Sequence, residues 1–342
     1  MAVDATCQVV SNPVEWDAAA LAQRAHLLQT WDWGALKQNF GWRVERVAWR
    51  DAANLYAGAQ ILYRALAPSL TIAYIPRGPF GAAETLAPFL TALVQHVRAR
   101  GAFLLKLEPD WQRDDPRAQN LRAIRARPTA ETIQPSATIQ LDLTADLETI
   151  LARMKAKWRY NIRLSEKKDV VVRVGDAAAL PAFYELLRVT GARDHFAIHS
   201  LAYYRAAWEL LAARDRARLF IAEYAQQPLA MIFGAAFADQ ALYLYGASGN
   251  AERNRMPNHA LHWAAIQWAK TRGCTRYDLW GIPETAAEPG AAENLPTSLY
   301  QFKHGFGGAT IHYTGAWDLV FNPVKYRLYQ LARKIRQNKI GA

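Results

Sequence analysis

A lysine beside a cluster of glycines is the first feature of this sequence that could do chemistry. Lys303 follows Phe302 in the segment QFKHGFGG, and Gly305, Gly307 and Gly308 lie within the next five residues. Glycine lets a backbone approach another chain closely because it has no side chain, so this segment could bring a substrate next to a positive charge. A solvated lysine beside a hairpin turn has the same pattern. The spacing alone leaves both interpretations open.

A run of basic residues between 153 and 168 is the second such feature. It carries seven Lys or Arg side chains against one acid, Glu166, with Trp158 and Tyr160 interleaved. The seven are Arg153, Lys155, Lys157, Arg159, Arg163, Lys167 and Lys168. Such a segment can bind an RNA backbone by charge and stack an exposed base, or it can be a solvated helix between two domains. The basic segment 325–339 is typical of a contact with tRNA or anionic lipid headgroups.

Three other side chains come at the ends of predicted elements. Lys37 comes one helical turn after Trp33 and could reach phosphates as a point charge, or it could simply favour the helix dipole. Asp110 follows a predicted strand in KLEPD, where an Asx turn after Pro109 is the alternative. Tyr245 ends a predicted strand, a position where aromatic rings commonly pack in a core.

The composition excludes several classes of protein. The 342 residues are 51% hydrophobic with 12 Trp, which is incompatible with a disordered chain. No apolar run approaches the ~20 residues that span a bilayer, and the N-terminus lacks the pattern of a secretory signal. Cys7 and Cys274 are isolated, so neither a disulfide framework nor a metal knuckle is expected. We therefore expect a cytoplasmic protein, whose net charge of +11 favours anionic partners: nucleic acid, a phosphorylated substrate or a membrane surface.

Short apolar runs and longer amphipathic runs alternate along the chain, which predicts an α/β or α+β fold. The predicted strands are 44–49, 57–62, 69–75, 103–107, 219–224, 230–237, 241–245 and 276–280. The predicted helices are 30–37, 86–99, 147–166, 180–190, 201–212, 258–271 and 323–337.

The order of these elements repeats. Helices open at Thr30 and again at Ser200, an offset of 170. Strands end in tyrosine at 74 and 245, and helices close at Gly101 and Gly273, with offsets of 171 and 172. Landmarks that keep one offset in order indicate an internal duplication.

The repeated unit resembles the GCN5-related acyltransferase fold, in which a turn into a long helix holds the pyrophosphate of coenzyme A on backbone N–H groups. The glycines of the usual coenzyme A loop are missing from the second copy, 253–258, and out of register in the first, 77–82. The sequence thus predicts the fold with a different acyl donor.

Six stretches together resemble the Fem family of aminoacyltransferases, which build the interpeptide bridge of peptidoglycan. They are LLQTWDWGALKQNFGW (27–42), AYIPRGPF (73–80), KWRYNIRLSEKKDV (157–170), RDHFAIHSLAYY (193–204), LYGASGNAERNRMPNHALHWAAIQWAKTRGCTRYDLWGIP (244–283) and LYQFKHGFGG (299–308). They are spread over most of the chain. Because no heptad stretch is long enough for a helical arm, the chain is similar to the compact, FemX-like members.

The resemblance implies two tandem GCN5-related domains without a coiled-coil arm, and transfer of an amino acid from aminoacyl-tRNA to the stem-peptide amine of a peptidoglycan precursor. That precursor is either the soluble UDP-MurNAc-pentapeptide or its lipid-linked form. No metal or cofactor is required, because the aminoacyl ester is already activated. We also expect a monomer that does not bind DNA, with a possible peripheral contact of the basic segment 325–339 at the inner face of the cell membrane.

The family's site residues fall on named positions of this chain. The catalytic set is Lys303, which would stabilise an oxyanion, with Phe302 and Asp110. The substrate-binding set is Lys37, His199, Tyr203 and Tyr245. The tRNA-binding set, predicted from the basic run itself and not from the family, is Lys155, Lys157, Arg159 and Arg163. The family has arginine where His199 stands, and a neutral imidazole contributes little to a diphosphate.

We expect an acceptor-binding domain over 1–145, a tRNA-binding and catalytic domain over 146–320, and a basic C-terminal helix over 321–342. Two alternatives stay open. One is an acyl-coenzyme A N-acyltransferase for another amine, which the missing loop disfavours. The other is a binding module for tRNA or a membrane surface, which the intact QFKHGFGG segment disfavours.

Overall fold

The computed structural model describes residues 5–283 and 299–340, which form two compact units. One unit comprises Met1–Ser136 and Tyr313–Ala342, and the other comprises Ala137–His312. The chain therefore crosses to the second unit after Ser136 and returns at Tyr313, whereas the sequence placed these borders at 145 and 320.

The first unit is a mixed sheet with helices packed on it. Its strands are β1 (Thr6–Val9), β2 (Arg43–Arg50), β3 (Leu55–Ala67), β4 (Leu70–Pro76), β5 (Phe80–Gly81), β6 (Ala102–Glu108), β7 (Arg127–Thr129) and β15 (Ala316–Val320). Its helices are α1 (Pro13–Ala22), α2 (Trp31–Asn39), α3 (Ala83–Ala99), α4 (Ala118–Ala123) and α11 (Pro323–Ile340). The strand order is β1-β2-β3-β4-β6-β15-β7, with β5 beside β3.

The second unit has the same plan. Its strands are β8 (Ala137–Asp142), β9 (Val171–Gly175), β10 (Ala217–Tyr224), β11 (Gln227–Phe237), β12 (Gln240–Ser248), β13 (Arg276–Gly281) and β14 (Ala309–His312), in the order β14-β8-β13-β12-β11-β10-β9. Its helices are α5 (Leu147–Arg153), α6 (Ala156–Lys167), α7 (Leu180–Asp194), α8 (Leu201–Ala212), α9 (Pro257–Thr271) and α10 (Leu299–His304).

Matching elements reveal the duplication. Each unit has a capped helix, a three-stranded meander, a long helix and a strand parallel to the last meander strand. The helix caps are alike: Thr30 accepts from the Trp33 N–H and Ser200 from the Tyr203 N–H, both at 3.3 Å. Gly101 and Gly273 end the long helices with the same φ of +76°, a conformation that favours glycine.

The border between the units follows from strand pairing. β8 pairs with β13 and β14, so the second sheet already begins at Ala137. β15 pairs with β6 and β7 and so belongs to the first sheet. The sequence missed both strands because short strands that pair across more than a hundred residues carry little local signal.

The single helix predicted over 147–166 is wrong, since it is broken at Met154 and Lys155. Both residues are extended there, with ψ of 151° and 144°. The Lys155 N–H donates to the Gly305 carbonyl at 2.9 Å, and Met154 is only 1% exposed. Burial of Met154 and the bond to the glycine turn stabilise the break.

No helix within the described ranges is both long and apolar enough to cross a bilayer.

Candidate active site

The sheet of the second unit opens where β12 and β13 diverge. The two strands pair in parallel from Gln240 with Arg276 to Leu242 with Asp278. Farther along, Gly281 of β13 pairs with Thr138 of β8. In the first unit the matching strands stay paired as far as Pro76 and Glu108. The divergence gives the second unit an opening that the first sheet lacks at this position.

Lys303 lies at this opening and is almost fully buried. It stands on α10 with 3% of its surface exposed, and its Nζ donates to the carbonyls of Trp280 (3.2 Å) and Gly281 (2.7 Å) at the end of β13. The Nζ is also 5.6 Å from the centroid of the Tyr243 ring on β12. The interpretation of Lys303 as a solvated surface lysine is therefore wrong.

Burial sets the charge of Lys303. Loss of hydration lowers its pKa to about 7, and the nearby Asp278 carboxylate opposes that shift. Asp278 is itself 2% exposed, and it accepts from the Thr138 hydroxyl (2.5 Å) and the Trp280 N–H (2.6 Å). Lys303 is thus an amine that can gain or lose a proton near neutral pH while remaining fixed in position.

Two buried histidines surround Phe302. The centroid of its ring lies 5.3 Å from that of His259 and 5.5 Å from that of His262. His262 contacts the Tyr277 hydroxyl through Nδ1 at 3.2 Å, and His259 contacts the Asn161 amide at 3.1 Å. Burial lowers their pKa values to about 4 for His259 and about 3 for His262. Both are neutral at pH 7 and serve to fix Phe302, and through it the neighbouring Lys303.

The glycines after Lys303 accommodate the chain's own backbone, not a substrate. A Cβ on Gly307, whose φ is +83°, would lie 2.6 Å from the Arg153 carbonyl oxygen, and one on Gly308 would lie 2.7 Å from that of Gln140. Trp158 fastens this segment from α6, since its indole N–H donates to the Phe302 carbonyl at 3.0 Å. The glycines therefore let α10 pack closely, and Trp158 serves in this packing.

A tyrosine cluster lies on β12 and α8 of the same unit. The rings of His199 and Tyr203 are stacked 3.9 Å apart, and Tyr203 is hydrogen-bonded to Tyr245. Tyr204 packs edge-on against Tyr245 at 5.1 Å. The structure thus brings together the three predicted substrate-binding residues of this unit. Arg193, another cation of this unit, forms an ion pair with Asp194 at 2.9 Å.

Two predicted site residues lie in the first unit, Lys37 of the substrate-binding set and Asp110 of the catalytic set. Lys37 is half-buried on α2, with its Nζ 4.6 Å from the centroid of the Trp33 ring. Burial and the positive charge of Arg64 lower its pKa to about 8. Asp110 is half-buried just after β6. A second positive charge near Lys37 favours the binding of an anion there.

The basic segment 153–168 presents only part of its charge to solvent. Arg159 donates to the Ala152 carbonyl at 3.2 Å, and Lys168 donates to that of Asn254 at 3.1 Å. Arg153 is paired with Asp142 at 3.2 Å. The exposed charged and aromatic side chains are Arg153, Lys155, Lys157, Tyr160, Arg163, Glu166 and Lys167, whereas Arg159 and Lys168 are half-buried. Tyr160, Arg163 and Lys167 are spaced by three and four residues and share one face of α6.

The turn into α9, where coenzyme A would be expected, is held by Arg255. Its guanidinium donates to the Lys168 carbonyl at 2.6 Å and lies 3.3 Å from the centroid of the Tyr224 ring. Met256 has a φ of +57° and Pro257 begins the helix. Within residues 5–283 and 299–340, no three His, Cys, Asp or Glu side chains are grouped so that they could hold a metal ion.

Sequence reasoning missed His259, His262, Tyr243 and Asp278. The two histidines are three residues apart in PNHALHW, which places them on one face of a helix, but their burial depends on Phe302 from a distant segment. Asp278 lies in the segment YDLW of a predicted strand. A carboxylate within such an apolar strand is the signal that could have identified Asp278 as a site residue.

Known proteins match nearly all of this chain. The FemAB family model matches residues 16–124, 123–223 and 209–334. The lipid II:glycine glycyltransferase of Staphylococcus aureus (strain MRSA252) is 24% identical over 89% of this chain and 90% of its own length. The crystal structure of FemX superposes with a TM-score of 0.84 at 22% identity, covering 95% of this chain and 99% of FemX.

A tandem GNAT protein from the clavulanic acid biosynthesis pathway has a TM-score of 0.55 at 14% identity, covering 94% of this chain and 99% of its own. The prediction of two tandem GCN5-related domains is confirmed by these structures, and the predicted aminoacyltransferase class by the relatives. The chain is an aminoacyltransferase and belongs to the FemAB family.

Proposed function

We propose that this chain transfers an aminoacyl group from aminoacyl-tRNA to the stem-peptide amine of a peptidoglycan precursor. The observation that carries the proposal is the position of Lys303, a buried amine held by two carbonyls where β12 and β13 diverge. The relative named lipid II:glycine glycyltransferase supports the acceptor class.

In the proposed reaction, the acceptor nitrogen attacks the carbonyl carbon of the aminoacyl ester. A C–N bond forms, the C–O bond to the tRNA ribose breaks, and the amine proton ends on the ribose oxygen. The tetrahedral intermediate carries negative charge on the former carbonyl oxygen. An ammonium has three N–H donors, so Lys303 can bind its two carbonyl partners and donate to this oxygen as well.

The acceptor's phosphates are assigned to Lys37 in the first unit. Its half-buried position beside Trp33 and its proximity to Arg64 create a positive potential that a diphosphate would relieve. In the second unit, we assign substrate binding to the stacked pair His199 and Tyr203 together with Tyr245. Asp110 stays a candidate for proton transfer.

The tRNA is assigned to the exposed face of α6. Tyr160 is 61% exposed, and Arg163 and Lys167 lie beside it on the same face. Charge and an exposed ring together suit an RNA backbone with an unpaired base. Lys155 and Lys157 extend this surface. Arg159 instead donates to the carbonyls of Ala152 and Met154 at the end of α5.

Product mass tests the proposal. The protein is incubated with a pool of charged tRNA and with either UDP-MurNAc-pentapeptide or its lipid-linked form. We expect an increase of one amino-acid residue with at least one acceptor. A parallel reaction contains acetyl-coenzyme A in place of tRNA, and an acetylated product there, without aminoacyl transfer, would contradict the proposal. The Lys303→Met variant is the negative control.

A further inference from the structure

The C-terminal helix carries an exposed apolar stripe. On α11, Val324, Leu328, Leu331 and Ile335 are 69, 59, 57 and 53% exposed. Their spacing of four, three and four residues places them on a single face of the helix. Apolar side chains aligned in this way mark an interaction surface, whereas single exposed ones do not.

The other side of α11 is fixed to the first unit. The Tyr326 hydroxyl donates to Asp318 at 2.8 Å, and the centroid of the Tyr329 ring lies 5.7 Å from that of Phe103. Arg333 forms an ion pair with Glu131. The helix is thus held on β6 and β15 with its apolar stripe directed outward.

Charge beside the stripe identifies what would cover it. The sequence of α11 contains six basic residues and no acidic one. Arg327 and Lys334 are exposed and lie three or four residues from Leu331, so they border the stripe. A second copy of this helix would bring like charges together, and RNA would leave the leucines uncovered. An anionic lipid surface satisfies both features at once.

The hairpin next to the first turn of α11 extends this surface. Lys325 Nζ donates to the Ser69 carbonyl at 2.6 Å, which ties the helix to the turn between β3 and β4. Leu66 at this turn is 43% exposed. An apolar side chain therefore lies on the element that contacts the start of the helix.

We propose that α11 docks the protein on an anionic lipid bilayer, with its apolar stripe at the boundary of the acyl chains and Arg327 and Lys334 on the headgroups. This binding needs neither tRNA nor turnover, so it stands or falls independently of the proposed function. Its consequence for that function is that the enzyme would meet a lipid-linked acceptor at the membrane surface.

Vesicle flotation of the full chain tests the proposal. Vesicles contain either phosphatidylglycerol with phosphatidylcholine or phosphatidylcholine alone. We expect the unaltered protein to float with the anionic vesicles. In the double variant Leu328→Gln with Leu331→Gln, partitioning should be weaker by at least about tenfold. Replacing Arg327 and Lys334 by Gln should weaken partitioning about fivefold for each charge and reduce its salt dependence.

The matched control is Val14→Gln with Leu21→Gln on α1, two helical apolar side chains that are 70 and 53% exposed. This variant should float like the unaltered protein. Because all these side chains are exposed, melting curves should be unchanged throughout.

Three results would overturn the proposal. The first is equal flotation of the unaltered chain and the α11 variants, or no flotation of either. The second is a dimer in sedimentation velocity that the leucine variant converts to a monomer, because a second copy would then cover the stripe. The third is loss of tRNA affinity by the α11 variants while vesicle binding persists.

Discussion

Asp278 and Lys303 bind opposite groups of one residue's backbone. The Trp280 N–H donates to the Asp278 carboxylate at 2.6 Å, and the Trp280 carbonyl accepts from Lys303 Nζ at 3.2 Å. Trp280 has a φ of +63°, a conformation that is costly for an aromatic residue. The carboxylate thus both raises the pKa of Lys303 and helps hold the carbonyl that positions it.

Removing the charge of Asp278 should shift the pH dependence of transfer. If protonated Lys303 stabilises the oxyanion, the rate falls as pH rises through its pKa of about 7. Asp278→Asn removes the charge that raises this pKa, so the falling limb should move to lower pH. Single-turnover rates between about pH 5.5 and 8.5 measure the shift.

Asp142→Asn is the control, because Asp142 is an exposed carboxylate at the end of β8. Ionisation of the acceptor amine affects all three proteins equally, so the difference between them reports Lys303. Superimposable pH profiles for Asp278→Asn and the unaltered enzyme would show that the charge of Lys303 does not control the transfer rate.

Replacing Lys303 should act on the chemical step. Lys303→Met keeps the apolar stem and deletes the charge, so we expect kcat to fall by about 100 to 1,000-fold with both substrate affinities retained. Lys303→Arg should recover only part of the rate, because a planar guanidinium does not fit the position of an ammonium. Single-turnover transfer at saturating acceptor gives the rate.

Lys270→Met provides a matched control, since Lys270 also donates to a backbone carbonyl, that of Leu143, at 2.8 Å. It lies in the last turn of α9 and should leave kcat unchanged. A Lys303→Met enzyme with more than about half the normal rate would show that substrate groups alone carry the reaction.

Replacing Lys37 should act on acceptor binding. Because Lys37 is assigned to phosphates remote from the reacting amine, Lys37→Ala should raise the acceptor KM, by up to ~100-fold for a desolvated contact worth ~2 to 3 kcal/mol. The kcat at saturating acceptor should change little. Gln38→Ala, at the next and exposed position of α2, is the control. An acceptor KM that Lys37→Ala leaves unaltered would place the phosphates elsewhere.

Local patterns were sufficient to predict the repeated elements, because the meander strands and long helices have their own periodicity and caps. They were insufficient for the surroundings of Lys303. Gly307 is tight against Arg153, and Phe302 against His259 and His262, although these partners are far apart in sequence. A glycine or a histidine looks the same in sequence whether it faces a substrate or its own chain, and only the packing distinguishes the two.

The exposed face of α6 should control tRNA affinity and its salt dependence. Changing Arg163 and Lys167 to Gln should flatten the slope of log K against log salt by a little under ~1 per lost contact on a duplex. Tyr160→Ala should weaken binding without changing that slope, because stacking releases no counterion. Filter binding across a salt series measures both quantities.

Arg188→Gln is the control, an exposed arginine of α7 that pairs with Glu185 at 3.0 Å. Its tRNA affinity and salt slope should match those of the unaltered protein. Equal slopes for the α6 variant and this control would make α6 a solvated helix only.

The buried histidines predict loss of stability in acid. His259 and His262 have pKa values of about 4 and 3 in the folded protein, against about 6.5 when unfolded. Below pH 6.5 the unfolded chain binds protons that the folded chain does not, so the free energy of unfolding falls as pH falls towards the folded pKa values.

Each histidine contributes up to about 1.4 kcal/mol per pH unit to this dependence of unfolding free energy on pH. Urea unfolding at pH 7, 6 and 5 measures it. The variant His262→Phe should remove about half of the histidine contribution, whereas Gln38→Ala, which removes no titratable group from an exposed site, should remove none. A slope that is the same in all three proteins would mean that His262 gains its proton at the same pH in the folded and the unfolded protein, which would contradict its burial beside Phe302.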